Sequence, residues 1–194
     1  MKYLSSAVFL TLALMLPALP AAASVLIFEG TLSGANENPP VSSPGTGSVE
    51  VVLDTTAQTL REIVAFSGLT SNDTAAHIHC CVAFGGNTGV ATAVPTLPGF
   101  PLNVTSGTFD MTFSLLDPTF YNPAFVTAQG GIAGAEAALV AGIMSTMTYF
   151  NIHTVNNAGG EIRSELFPVP EPPSLPLLIA ALLSFSVWRR HRGV

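Results

Sequence analysis

Ser48-Val49-Glu50-Val51-Val52-Leu53 alternates in a way that puts Val49, Val51 and Leu53 on one face and Ser48 and Glu50 on the other. A period of two is the mark of a strand with one face buried. Thr108-Phe109-Asp110-Met111-Thr112-Phe113 repeats the pattern, with Phe109, Met111 and Phe113 on the apolar side. Around these stretches the chain consists of short apolar runs broken by Gly, Pro, Asn and Ser, the texture of an all-β domain with many turns. Further strands are expected at Val25 to Leu32, Leu60 to Phe66, Ala75 to Cys81, Met144 to His153 and Gly160 to Phe167. About seven strands suffice for an antiparallel β-sandwich or a Greek-key barrel. One short helix is expected in the alanine-rich segment Ala133 to Gly142, as a turn or two.

Composition narrows the function classes. The 194 residues are enough for one domain plus processing segments. Charged residues make up 9% of the chain, against about 25% in ordinary soluble domains, which disfavours a cytosolic enzyme. Between Ser24 and Pro168 only Arg61 and Arg163 oppose eleven carboxylates, a formal balance of −9. Such a surface repels phosphate backbones, so no nucleic-acid partner is expected, and it attracts cations.

Both ends read as processing segments. Lys2 precedes an apolar run from Leu4 to Leu19 that ends in Ala21-Ala22-Ala23, small residues that suit signal peptidase, so residues 1–23 are expected to be a secretory leader. The exported β domain would then span 24–167. Residues 168–194 begin with Pro168-Val169-Pro170-Glu171-Pro172-Pro173, continue as an uncharged apolar stretch at about 174–188 and end with Arg189-Arg190-His191-Arg192. Fifteen helical residues would extend about 22 Å, short of a hydrocarbon layer of roughly 30 Å. The tail resembles the PEP-CTERM sorting signal of Gram-negative bacteria, carried here by Val169, Pro170, Glu171, Pro172 and the cluster Arg189, Arg190 and Arg192. That resemblance implies transient anchoring in the inner membrane by a short transmembrane helix. It also implies handling by an exosortase, and release to the cell surface or exopolysaccharide matrix. A plain single-pass anchor with its arginines inside is the alternative.

Three histidines lie in the exported segment, and all fall in expected strands. His77 and His79 leave the same face about 6.6 Å apart along the strand, while Ile78 points to the core. Cys81 continues that face. In the second patch Phe150 and Ile152 face the core, which puts Asn151 and His153 on the other side, so pairing of the two strands would bring His153 beside His77 and His79. Imidazole with thiolate would take copper or zinc rather than calcium, giving a candidate metal set of His77, His79, His153 and Cys81. The alternative is three structural histidines bonded to loop carbonyls. Cys80 and Cys81 are the only cysteines. Adjacent strand residues point to opposite faces, which leaves buried thiols, an intermolecular bridge or one metal-bound thiolate.

Several motifs together resemble the CHRD domain, the module named after chordin and found in many bacterial secreted proteins. They are Leu32-Ser33-Gly34-Ala35-Asn36-Glu37-Asn38-Pro39-Pro40, Thr74-Ala75-Ala76-His77-Ile78-His79, Tyr149-Phe150-Asn151-Ile152-His153-Thr154 and Gly159-Gly160-Glu161-Ile162-Arg163. The resemblance implies an extracellular sandwich-like module without an established enzymatic activity. His77-Ile78-His79 followed by Gly85-Gly86-Asn87-Thr88-Gly89 is also similar to the copper-binding region of copper-zinc superoxide dismutase. By that similarity His77 and His79 match two copper ligands and His153 a late one, while the bridging and remaining zinc histidines have no counterpart.

Glu161, Arg163 and Glu165 share a face and are expected to form a surface ion-pair ladder. No nucleophile elbow, phosphate loop or HExxH motif occurs. The leading expectation is therefore an exported, non-enzymatic binding or structural module. The alternative is a copper- or zinc-binding envelope protein, with superoxide dismutase-like chemistry as its redox form.

Overall fold

Alternating burial along three successive strands builds the first half of the domain in a computed structural model that describes residues 25–170. The expected leader and the tail beyond Pro170 lie outside the described residues. Strands β1 (Val25–Ser33), β2 (Thr46–Asp54) and β3 (Thr59–Ser67) form an antiparallel meander. Asp54 closes the β2–β3 turn, its Oδ1 accepting from the amides of Thr56 and Ala57 at 2.9 and 2.8 Å, as Asp does when it starts a turn. Strand β5 (Gly107–Ser114) pairs with β3.

The other half consists of β4 (Asp73–Cys80), β6 (Thr148–Thr154) and β7 (Ile162–Glu165), with the two-residue β8 (Phe167–Pro168) pairing with β1. All pairings are antiparallel, and the order β4-β6-β7-β1-β2-β3-β5 is one sheet that curls into a half-barrel. The all-β expectation therefore holds.

The helical region is longer than its sequence suggests. Helix α1 (Pro123–Ala128) starts with proline and is capped by Asn122 Oδ1, which accepts from the Ala124 amide at 3.0 Å. Helix α2 (Ile132–Met144) spans 13 residues and buries Ala135, Leu139 and Ile143. Met144 thus belongs to the helix rather than to the following strand.

The core lies inside the curl. Val49, Val51 and Leu53 are buried as their alternation predicts, as are Ile78, Phe150 and Ile152 from the other half. On β5, which ends the sheet, Phe109 and Phe113 are buried but Met111 between them is 39% exposed.

Opposite Met111 sits Glu62, fully buried, with neither carboxyl oxygen hydrogen-bonded. Burial pushes its carboxyl up to about 8, so at neutral pH it is held mostly as the neutral acid. A raised pKa in the folded state means that the stability associated with the neutral acid is complete below the ordinary glutamate value of 4.5 and is lost as pH rises through about 8. Urea unfolding of wild type and Glu62→Gln across that range should show the wild type losing on the order of a few kcal/mol relative to the variant. Parallel stability curves for the two proteins would contradict a neutral Glu62.

Candidate metal centre

Strand β4 ends the sheet, so one row of its backbone groups has no strand partner. Such an edge must be covered or it stays open to pairing with other chains. Here the segment following β4 folds back over it. Amides of Ala91 and Leu97 donate to the carbonyls of Ile78 and Ala76 at 3.0 and 3.2 Å. The hydroxyls of Thr92 and Thr96 accept from the amides of Ile78 and Ala76, both at 3.0 Å.

The same covering segment grips two histidine rings. His77 Nε2–H donates to the Pro95 carbonyl at 2.8 Å, and His79 Nδ1–H to the Thr88 carbonyl at 2.8 Å. His153 comes from β6, two residues beyond Asn151, which lies opposite His77. Its Nδ1–H donates to the Ala158 carbonyl at 2.9 Å. A carbonyl can only accept, so each of these bonds fixes the proton on the named nitrogen and leaves a lone pair on the other. Those remaining atoms, His77 Nδ1, His79 Nε2 and His153 Nε2, are buried without partners. The three imidazoles offer ligand nitrogens that all lie within 4.8 Å of one another, and their ring centroids are 5.2 to 5.9 Å apart.

Electrostatics favours the same state. Burial, reinforced by His153 and His79, pushes His77 down to about 4; burial likewise pushes His79 down to about 4 and lowers His153. All three rings are thus neutral at pH 7, the form that ligates metal. A ring nitrogen turned to the cluster with the other donating to a carbonyl is the usual arrangement of a metal-bound histidine. One copper or zinc ion at about 2.0–2.1 Å from each nitrogen would hold the three roughly 3.3–3.6 Å apart, so any pair standing near the 4.8 Å limit would have to close by more than about 1 Å.

Cys81 does not join them. Strand β4 stops at Cys80, and the two sulfurs are bonded to each other, so neither supplies a thiolate. The expectation of free thiols, an intermolecular bridge or a thiolate ligand is corrected: the opposite-face argument applies only inside a strand, and Cys81 lies just beyond one. The sulfurs pack against α2, where a Cβ on Gly142 would come within 2.6 Å of Cys80 Sγ and 2.9 Å of Cys81 Sγ.

The expected surface ladder is also corrected, because Glu161, Arg163 and Glu165 are all buried. Arg163 Nη2 meets Glu165 Oε1 at 2.7 Å and the Gly86 carbonyl at 2.8 Å, and its Nη1 donates to Asn87 Oδ1 at 2.8 Å. The guanidinium lies 3.5 Å from the centroid of the Tyr149 ring, and Tyr149 stacks on His79 at 4.5 Å. Arg163 thus ties the glycine-rich loop to the histidine face. Glu161 instead braces the far loops: burial would raise its carboxyl, but hydrogen bonds from Ser43, Thr154 and Thr70 hold it down at about 2.

Glu37 and Tyr149 were not singled out from sequence as part of this site. Tyr149 could have been, since it shares the parity of Asn151 and His153. Glu37 reaches it through a loop: Asn36 Nδ2 donates to the Arg163 carbonyl at 3.0 Å and Asn38 Nδ2 to the Gly85 carbonyl at 2.8 Å. Burial, offset in part by Arg163, raises the Glu37 carboxyl to about 7.

The four motifs quoted from the sequence therefore converge on one face of β4, β6 and β7. A family model for the CHRD domain matches residues 28–166, and the chain belongs to that family. Membership is consistent with an extracellular, non-enzymatic domain protein. No curated protein and no solved structure matches the chain.

Because Arg163 is the buried cation joining two loops to Tyr149, Arg163→Met should destabilise metal-free protein by about 3–5 kcal/mol, leaving Glu165 buried without its partner. Arg163→Met combined with Glu165→Gln should recover part of that loss in urea unfolding. A single variant as stable as wild type would show that the pair does not hold the loop.

Proposed function

We propose that this chain is an exported CHRD module that binds a single copper or zinc ion through His77, His79 and His153. One observation carries the reading: three imidazoles, each with one nitrogen donating to a carbonyl, keep their other nitrogens buried and without hydrogen-bond partners, and the three rings offer ligand nitrogens within 4.8 Å of one another. Three convergent acceptors repel unless a cation or a proton donor sits among them. The acidic surface would concentrate metal cations near the domain. The role is binding rather than turnover. The similarity of the His-x-His region to copper-zinc superoxide dismutase supports copper as the redox-active choice, with superoxide as the substrate class if the domain does catalyse.

Sorting forms the second part of the reading. The leader at 1–23 supports export, and Val169-Pro170-Glu171-Pro172 with Arg189, Arg190 and Arg192 supports an exosortase as the processing partner and the cell surface or exopolysaccharide matrix as the destination. Among the described residues no helix is long and apolar enough to cross a membrane. The apolar stretch at 174–188 lies outside them.

Elemental analysis of protein purified from its native envelope should find one copper or zinc per chain. Metal addition should raise the melting temperature of wild type far more than that of His77→Ala, since a ligand at 100 times its dissociation constant stabilises by about 2.7 kcal/mol. Equal shifts would remove His77 from the site.

For the tail, Glu171→Ala or loss of the three terminal arginines should leave an unprocessed precursor in the inner membrane. Mass spectrometry of the mature protein decides this, and a native chain that retains Trp188 would contradict cleavage.

A further inference from the structure

Ten buried polar side-chain atoms lack a hydrogen-bond partner among the described residues, and six of them gather at the histidine face. Three are the ring nitrogens assigned to the metal. The others are Asn151 Oδ1, Glu37 Oε1 and Arg163 Nε. A native fold leaves few buried polar groups unpaired, and a cluster of them marks a place where water, an ion or a ligand completes the bonding. Asn151 pairs with His77 across β4 and β6 and stands with Glu37 around Gly160. A Cβ on Gly160 would come within 2.5 Å of Glu37 Oε1 and 2.6 Å of Asn151 Nδ2, so the absence of a side chain there keeps these two polar groups uncovered by residue 160.

Among the described residues the cluster supplies three nitrogen donors and no fourth. The candidate cluster contains only His77, His79 and His153, and Cys81 is bonded to Cys80. Structural zinc sites close with four protein ligands, whereas sites with three keep a position for an exchangeable ligand. Neutral imidazoles leave the charge of a divalent ion uncompensated, which favours an anion in the remaining place. His77 and His79 are 5% and 7% exposed, while His153 is only partly buried, so its side is where a small ligand would enter.

We propose that the bound metal keeps a fourth coordination position beside Asn151 for a small exchangeable ligand of the water, hydroxide or azide class. This rests on the metal reading above. In the exchange, azide donates a nitrogen lone pair to the metal as water leaves, and no electron is transferred.

The test loads mature protein with one equivalent of copper(II) and titrates sodium azide, following absorption and electron paramagnetic resonance. Gel filtration then confirms that the copper stays bound. The expected result is a new, saturable charge-transfer band with an altered copper hyperfine splitting, at one copper per chain. In Asn151→Leu, checked for folding by circular dichroism, copper uptake should persist while azide affinity falls by at least about tenfold. One bound copper whose spectra ignore azide would overturn the open position, because a protein group would then fill it. Unchanged azide affinity in the folded Asn151 variant would overturn its placement beside Asn151. Failure to take up copper or zinc at all would instead bring down the metal reading, and this inference with it.

Discussion

An edge strand that must be covered governs the rest of this molecule. Strand β4 ends the sheet, and its outward amides and carbonyls need partners that no strand supplies. The chain meets that need by folding residues 82–97 back across the edge, with bonds from Ala91, Thr92, Thr96 and Leu97. Once that segment lies against β4, the carbonyls of Thr88 and Pro95 stand beside the two histidines. Protection against edge pairing and orientation of the rings are thus consequences of one piece of backbone. The glycine-rich part of the segment is held from the other side by Arg163, Asn38 and Glu165, which connects β7 and the loop after β1 to the same task.

Most of the strand pattern was legible, because burial on one face imposes a period of two that the side chains obey. The parity of His77, His79 and His153 followed from it, as did the inward placement of Ile78, Phe150 and Ile152. Parity cannot say whether the second face meets solvent or a loop. Arg163 and Glu165 were placed together correctly, but Glu161 turns instead to Ser43, Thr70 and Thr154, and all three were assigned to the surface wrongly, since a covering loop leaves no alternating signal. The carbonyls that set the ring tautomers belong to Pro95, Thr88 and Ala158, and backbone acceptors are carried by every residue alike. Cys81 was misread because the strand was extended one residue too far. Glu62 breaks the rule outright, as a carboxyl on an apolar face, where the alternation of its neighbours determined the side and its chemistry did not.

Charge is distributed with the same economy. Both arginines of the domain are paired, Arg61 with Asp110 at the surface and Arg163 with Glu165 inside. The surface pair is half exposed and adds little to stability. Two buried carboxyls, Glu37 and Glu62, are shifted toward their neutral forms by burial, so the interior carries less negative charge than composition alone implies. The histidine face itself is neutral. On the metal reading proposed above, its attraction for a cation would come from the ring nitrogens at close range and from the acidic exterior at long range, two contributions that respond differently to salt.

Where the chain enters and leaves the domain sets how the histidines are presented. Strand β1 starts at Val25, and the Val169 amide donates to the Ile27 carbonyl at 2.8 Å, so both ends of the described chain emerge side by side. Ser33, at the opposite end of β1, pairs with Arg163, which pairs with Asn151, which faces His77. About six residues of strand, roughly 20 Å, separate the exit from the ring cluster. A domain held by either terminus therefore carries its histidines at the distal pole, and traffic to them arrives from the open medium rather than from the surface that holds the chain.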